Sequence, residues 1–281
     1  MRTSVVVRTL AHEFVVTCPD EASAAAMAFV RAAPEMPGRA LRAIPVEVLR
    51  RGAFYVARTP DGRLLEGAPG HIVHGLHRHF FRTLTQEAVG APLLHAASIV
   101  IGGARVVLVA HKASGKTTLT ARLLAEGFPV EGDEHVAVLG GSVLVRPRTL
   151  RIKGGTIDLV PSLRDAILAS PSITDWDGRR IYSMEPRLAG AAWRIEEGPV
   201  RALVFLDRNH GGRSVLTPLD RTEAFRRALA TSYFPENAKA LAAARLRSLI
   251  FGASCYRLSM GDLDNAVWHL RRLSYLSQDI G

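Results

Sequence analysis

The sequence contains few cysteines and no long apolar run. Two of its 281 residues, Cys18 and Cys255, are cysteines, which is too few for a disulfide framework or a cysteine-rich metal site. We expect both thiols to be ordinary core residues. A membrane-spanning helix needs about 20 consecutive apolar residues, and no stretch approaches that length. The first residues also lack the pattern of a signal peptide, so we expect a cytoplasmic protein with no membrane partner.

Aromatic residues are scarce as well. They make up 6% of the chain, and no basic stretch is interleaved with aromatic side chains, as is common in surfaces that bind nucleic acid. The net charge is +10, with arginines spread along the chain rather than gathered in one tail. Such a surface favours anionic partners. An arginine-rich composition combined with a nucleotide site accounts for the charge, so no nucleic-acid partner is expected.

The composition is that of a globular protein with two regions. Hydrophobic residues make up 48% and charged residues 22%, which is typical of folded domains. We predict a small N-terminal α+β lobe over residues 1–90 and a catalytic α/β domain over residues 91–281. The lobe is predicted from short strands, a helix and turn signals, at residues 5–10, 13–17, 20–33, 46–49, 53–58 and 60–65. No residues in this lobe suggest a chemical role, so it is expected to support the second domain or to dock a substrate.

The most informative stretch is a predicted strand, turn and helix between residues 105 and 126. Arg105–Val109 reads as a buried strand, and Thr117–Glu126 reads as a helix that ends at Gly127. The connecting residues are Ala110-His111-Lys112-Ala113-Ser114-Gly115-Lys116-Thr117. They match a phosphate-binding loop in which alanine replaces the usual first glycine. A helix that starts here directs free backbone N–H groups at one point, where they attract phosphate oxygens.

The residue types of this loop predict their roles. Gly115 lets the backbone approach the phosphates, Lys116 reaches the β- and γ-phosphates, and the Thr117 hydroxyl holds Mg²⁺. Alanine is unfavourable where φ is positive, so Ala110 and Ala113 are expected to restrict the turn. The predicted ATP-binding set is Ala110, His111, Lys112, Ala113, Ser114, Gly115, Lys116, Thr117 and Thr118.

An acidic pair, Asp133-Glu134, follows the loop helix. A short apolar stretch, Phe128-Pro129-Val130, precedes it and predicts a strand that returns beside the loop strand. The pair would then lie at the sheet edge where ligands of α/β proteins bind. A carboxylate there can hold Mg²⁺ or accept a proton from an attacking hydroxyl. The alternative is an exposed turn with no chemical role.

Several of these segments together resemble the HPr kinase family. The resemblance is strongest over residues 93–139 and weaker over the rest of 85–275. More narrowly, the chain is similar to HPr-kinase-related proteins of ribosomal peptide pathways, including those of lasso peptides. The segments are Leu94-His95-Ala96-Ala97, Gly102-Gly103, the loop itself, and Gly127-Phe128-Pro129-Val130-Glu131-Gly132-Asp133-Glu134.

The resemblance implies an α/β fold with an HPr kinase and phosphoenolpyruvate carboxykinase-like P-loop core. It implies ATP and Mg²⁺ as cofactors, with catalytic roles for Asp133, His95 and Lys116, and metal contacts from Thr117, Asp133 and Glu134. His95 would help the acidic base or touch the transferred phosphoryl group, although a buried histidine that donates to a backbone carbonyl is an alternative. Bifunctional members carry Arg-Gly-x-Gly near Lys153-Gly154-Gly155, so the departure here implies a kinase rather than a phosphorylase.

Other features suggest no clear chemistry. His71, His74, His77 and His79 read as a connecting helix with solvent-facing imidazoles, because no further metal ligand lies nearby except Glu87. Residues 161–197 are predicted to be rich in loops that cover a site. Arg179, Arg180, Arg187 and Arg194 in this segment are candidates for neutralising the transferred phosphate. Asp220 and Asp262 are predicted N-caps of later helices.

The sequence therefore predicts an ATP-dependent kinase that phosphorylates a Ser or Thr hydroxyl of a protein or precursor peptide. In this mechanism Asp133 takes the proton of the hydroxyl. Two alternatives stay open, namely a kinase of small alcohols and a nucleotide-binding regulatory module without catalysis. The oligomeric state is also open, with a homo-oligomer among the alternatives.

Overall fold

Four β-sheets organise the chain in this computed structural model, which describes residues 2–174, 177–209 and 211–273. The strands are β1 Thr3–Arg8, β2 His12–Cys18, β3 Arg42–Arg51, β4 Phe54–Arg58, β5 Leu64–Gly67, β6 Leu93–Leu94, β7 Ala96–Ile101, β8 Ala104–Val109, β9 Val130–Gly132, β10 Val136–Val138, β11 Ser142–Val145, β12 Leu150–Lys153, β13 Ser172–Thr174, β14 Arg180–Met184, β15 Gly198–Pro199, β16 Ala202–Arg208, β17 Val215–Pro218, β18 Ser232–Tyr233 and β19 Ser254–Met260. The α-helices are α1 Glu21–Ala28, α2 Pro69–Glu87, α3 Lys116–Ala125, α4 Gly154–Leu159, α5 Arg164–Leu168, α6 Arg221–Ala230, α7 Lys239–Gly252 and α8 Leu263–Arg272. The fold is therefore mixed α/β, and none of the described helices is long and apolar enough to cross a membrane.

The N-terminal sheet has the strand order β1-β2-β3-β4-β5. Strands β2 and β3 are parallel, and α1 makes the crossover between them. Helices α1 and α2 share one core with this sheet, in which Phe14, Met27 and Leu76 are buried. The described part of residues 1–90 thus contains both strands and helices, and the N-terminal lobe and its boundary at residue 90 stay predictions.

The central sheet has the order β17-β19-β16-β8-β7-β9, with β19, β16 and β8 parallel. Alternate residues of β8 enter different cores, because successive side chains point to opposite faces of a strand. Val106 and Leu108 pack with α3 and α8, whereas Val107 and Val109 pack with α7 and the antiparallel sheet β15-β11-β10-β6-β18. Burial on both faces explains the apolar run that identified this strand in the sequence.

Two predictions about secondary structure were wrong. Helix α1 ends at Ala28, five residues before the predicted end, because Ala32 instead pairs with the edge strand β1. Residues 161–197 were expected to be mostly loop, yet their described part contains α5, β13, β14 and two 3₁₀ turns. Strands of three to five residues and single-turn helices are too short for a readable period in the sequence.

Candidate functional site

The loop lies at the carboxyl end of β8, in the middle of the central sheet. Strand β8 pairs with β7 on one side and with β16 on the other. Helix α3 starts at Lys116, and its N-cap Gly115 has φ 86° and offers no side-chain cap. The first backbone N–H groups of such a helix have no partner within the helix. The loop therefore presents uncapped donors and the positive end of the helix dipole to one point.

The two alanines of the loop differ from each other in conformation. Ala113 has φ 66° and is the one non-glycine residue with positive φ in the described ranges 2–174, 177–209 and 211–273. It carries the strain that the sequence predicts. Ala110, in contrast, has no positive φ and packs in the core beside α3. The expectation that Ala110 restricts the turn was wrong, because the loop needs no left-handed residue at that position.

A hydrogen bond joins the loop helix to the acidic pair. Thr117 Oγ1 donates to Asp133 Oδ2 over 2.6 Å. Asp133 follows β9 directly and is only 2% exposed. Its other oxygen, Oδ1, is buried and has no hydrogen-bond partner in the described part of the chain. The hydrogen bond from Thr117 thus holds the carboxylate of Asp133 in place, and its Oδ1 atom is left to accept a hydrogen bond or to bind a metal ion.

Lys116 is buried next to this pair. Its side chain is 5% exposed, and burial lowers its pKa, while the charges of Asp133 and Glu134 act in the opposite direction. A buried ammonium interacts more strongly with a nearby anion than a solvated one does. The lysine therefore provides a partly desolvated positive charge close to the N-terminus of α3.

Glu134 points to a different partner. It forms an ion pair with Arg148. The net effect of the surrounding positive charges, Arg148 first, outweighs burial and lowers the pKa of Glu134 to about 2. Glu134 is therefore ionised at neutral pH. Because it pairs with Arg148, the oxygen atoms of Thr117 and Asp133 are the better placed of the three residues to bind one metal ion together.

His95 lies between the loop and the acidic pair. Its Nδ1 is 2.5 Å from the carbonyl oxygen of Ala110; this contact requires a proton on Nδ1 and an unprotonated Nε2 in the neutral ring. Burial and the charge of Lys116 lower the pKa of His95. The histidine is thus held neutral, which matches the contact expected of a buried histidine and leaves Nε2 free to accept a proton or a hydrogen bond.

The remaining predicted loop residues are less enclosed. His111, Lys112 and Ala113 are exposed. The Ser114 hydroxyl donates to the carbonyl of His111, and Thr118 Oγ1 bonds to Thr156 over 2.9 Å. These side chains shape the loop or face solvent, so their predicted contribution to nucleotide binding rests mainly on backbone N–H groups.

The sequence did not identify the cleft that opens beside the loop. It has a volume of ≈ 250 Å³ and is lined by Ala110, His111 and the ends of β16 and α6. Asp207 in its wall accepts hydrogen bonds from Arg227 over 2.9 Å and from Arg257 over 2.5 Å. Asp207 lies near the end of β16, directly after the apolar residues 202–206, and this position at the ligand edge of the sheet was the available signal.

The histidines of α2 do not form a metal site. His71 and His74 are exposed, as predicted, whereas His77 and His79 are partly buried and were expected to face solvent. In the described residues no group of three or more His, Cys, Asp or Glu side chains is arranged to hold a metal ion. None of the candidate arginines of residues 161–197 lines the cleft beside the loop. The basic segment at 146–151 lies closer, because Arg148 reaches Glu134.

Comparisons with known proteins give only distant likenesses, all among solved structures. No protein-family model matches the sequence, and no curated protein matches it. Among solved structures, the chain is similar to the HPr(Ser) kinase/phosphatase from Coxiella burnetii, with 11% sequence identity and a TM-score of 0.32. The match covers 66% of this chain and 95% of that one. A likeness this distant assigns no activity.

Proposed function

We propose that this protein is an ATP-dependent kinase that transfers a phosphoryl group to a Ser or Thr hydroxyl of a protein or precursor peptide. The observation that carries the proposal is the hydrogen bond between Thr117 and Asp133 at the uncapped start of α3. A hydroxyl and a carboxylate meet there beside the buried Lys116. This combination is the one that phosphoryl transfer requires, since that reaction depends on positioning and on charge stabilisation.

The residues fit Mg²⁺–ATP by their chemistry. Mg²⁺ prefers oxygen ligands, usually one or two carboxylates together with phosphate oxygens. Asp133 Oδ1 is a buried carboxylate oxygen without a partner, and Thr117 Oγ1 is adjacent to the same carboxylate. Thr117 and Asp133 would hold the metal, with Glu134 adding negative charge. When bound, Mg²⁺–ATP supplies the phosphoryl group and offsets its charge.

The protein's own groups then act on the acceptor. The first backbone N–H groups of α3 and the Lys116 ammonium orient the phosphates and stabilise the negative charge that develops on them. Asp133 would accept the proton of the acceptor hydroxyl as that oxygen bonds to the γ-phosphorus, and the bond from this phosphorus to the bridging oxygen would break to release ADP. His95, which is held neutral with its Nδ1 against the Ala110 carbonyl, assists this transfer by accepting a hydrogen bond at Nε2.

The acceptor class needs a direct test, because a kinase of small alcohols would use the same loop. The protein is incubated with γ-labelled ATP and Mg²⁺, and with either a pool of Ser- and Thr-containing peptides or a panel of small alcohols. The mass of each acceptor is then measured. A gain of one phosphate on a peptide supports the proposal, and phosphate on alcohols alone would replace it with a metabolite kinase.

A matched pair of variants assigns the activity to the site. Asp133→Asn keeps the shape of the side chain but removes the proton acceptor, so turnover should fall by about 10²-fold or more. Asp264→Asn makes the same chemical change at an exposed residue of α8, where the carboxylate pairs with Arg122. It should retain full activity. Equal turnover of the two variants would remove Asp133 from the mechanism, and ATP binding without transfer to any acceptor would point to a regulatory module.

A further inference from the structure

Three arginines line a narrow cavity between the N-terminal sheet and the segment that follows β11. Arg146, Arg148 and Arg151 form one wall. The opposite wall is built from β1, from the residues after α1, and from α2 through His77 and Phe80. The cavity therefore lies where three parts of the chain meet that are far apart in sequence.

The guanidinium groups of this arginine cluster are poorly satisfied. Arg146 is 8% exposed, and its contacts are the ring of Phe81 and a long hydrogen bond of 3.4 Å to His135. Arg151 stacks on the ring of Phe29 at 3.7 Å. Its Nε and Nη1 atoms are buried and have no hydrogen-bond partner in the described part of the chain. Buried donors of this kind are rarely left unmatched in folded proteins.

The cluster also carries excess positive charge. Glu134 pairs with Arg148, and no other ion pair to these three arginines forms in the described ranges. Three positive charges and one negative charge leave a local excess of two. Arg8, on the opposite wall, is already paired with Glu13 over 2.7 Å. Because buried charge without compensation is strongly unfavourable, the cluster is poised to accept an anion.

Electrostatics agrees with this geometry. Burial first, and then the neighbouring Arg148, lower the pKa of Arg146 to about 9 and also lower the pKa of Arg151, while Glu134 acts in the opposite direction. Burial and the same arginines also lower the pKa of His77 to about 3, so that His77 adds no charge at neutral pH. A guanidinium keeps its proton in proteins. The wall of the cavity is thus positive, with a neutral imidazole beside it.

We propose that the arginine cluster binds a phosphate-sized oxyanion, either free phosphate or the phosphate group of a small ligand. A phosphate carries about 1.5 to 2 negative charges at neutral pH, which offsets most of the excess. Planar guanidinium groups donate paired N–H bonds to its oxygens. The cavity offers ≈ 20 Å³, close to the room that one water needs, so the long arginine side chains that line it must shift outward to admit an oxyanion, and a nucleotide does not fit.

This oxyanion site is separate from the candidate ATP site. Neither Lys116 nor Thr117 lines the cavity, so the inference stands without the proposed kinase activity. A bound anion would join the segment 146–151 to the N-terminal sheet and to α2. It would also share Arg148 with Glu134, which places the anion one side chain away from the acidic pair.

The test measures the midpoint of thermal unfolding against inorganic phosphate at constant ionic strength. The Lys116→Met variant is the parent, because its loop no longer contributes its lysine to phosphate binding. Phosphate should raise the midpoint of this parent in a saturable way, since a ligand that binds only the folded state stabilises it. Adding Arg151→Met should abolish that rise. Arg247→Met is the matched control, because Arg247 also lies over a phenylalanine ring, that of Phe251 at 6.0 Å, but is exposed.

The outcomes separate the sources of the anion. A rise with inorganic phosphate but not glycerol phosphate identifies the free ion, and a rise with both identifies the phosphate group of a ligand. Without phosphate, the Arg151→Met variant should be at least as stable as its parent, because the substitution removes uncompensated charge. If this variant fails to fold, Arg146→Met replaces it, and it should likewise lose the rise in midpoint with phosphate. No rise in the parent, an equal rise in the arginine variants, or an equal rise with acetate would overturn the proposal.

Discussion

Gly115→Ala tests the geometry of the loop through two separable effects. Gly115 has φ 86°, a conformation that costs an L-residue about 1–2 kcal/mol, partly offset because alanine also restricts the unfolded chain. A Cβ at this position would in addition overlap Met260 Cε. Overpacking of this kind costs about 1–3 kcal/mol. We expect a cost in the lower half of this range, because the terminal methyl group of Met260 can move aside. We expect a loss of about 2–3 kcal/mol in the free energy of unfolding.

Gly127→Ala is the matched control for that experiment. Gly127 follows the other end of the same helix with φ 84°, and a Cβ there meets nothing within 4 Å. It should therefore lose about 1 kcal/mol or less, from strain alone. Both variants are measured by urea denaturation, and the difference between them isolates the contact with Met260. Equal losses, or a loss below about 0.5 kcal/mol at Gly115, would refute this description of the loop.

Three further predictions concern buried polar groups. Burial, as the main cause, lowers the pKa of His77 and of His135 to about 3, so below the usual pKa of 6.5 the unfolded chain binds more protons than the folded chain. Acidification from pH 7 to about pH 5 should therefore reduce the free energy of unfolding by about 2 kcal/mol per histidine. A free energy of unfolding that stays constant over that pH range in urea denaturation would contradict this prediction. Glu131→Gln leaves the buried Arg105 without its charged partner, which lies 2.8 Å away, and should lower the free energy of unfolding by about 3–5 kcal/mol. A loss below about 1 kcal/mol in urea denaturation would contradict a stabilising ion pair between Arg105 and Glu131. Thr117→Val should abolish the gain in ATP affinity that Mg²⁺ gives in calorimetry, whereas Thr117→Ser should retain it; equal gains in both variants would rule out the hydroxyl as a metal contact.

The residues of the candidate site could be found from the sequence, because the chemistry is encoded in short-range spacing. Lys116 and Thr117 follow β8 after a short loop, and Asp133 directly follows the next strand along the chain, so local patterns were enough to bring them together. Helix caps are similarly local. Asp220 accepts from the backbone N–H of Thr222 and Glu223, and Asp262 accepts from Asn265, as N-caps do.

What could not be predicted depends on contacts between distant parts of the chain. Arginines are mostly exposed in folded proteins, yet Arg146 is buried against α2 and the N-terminal sheet, which lie some 60 residues or more earlier in the chain. Glu223 lies three residues after the N-cap Asp220, the position that closes a capping box, but its carboxylate pairs with Arg226 and Arg227 instead. In each case a tertiary or competing side-chain contact overrides the local pattern.

The most direct test of the proposed site is to measure ATP binding and phosphoryl transfer on the same Asp133→Asn preparation. Calorimetry with Mg²⁺–ATP gives the affinity, and label transferred from γ-labelled ATP gives the turnover. ATP should still bind, because the first turn of α3 and the buried Lys116 stay in place, although the affinity that Mg²⁺ adds should weaken with the loss of a carboxylate ligand. Turnover should fall further than the affinity, by about 10²-fold or more. Transfer at the rate of the unaltered protein would contradict the role assigned to Asp133 and with it the proposed mechanism.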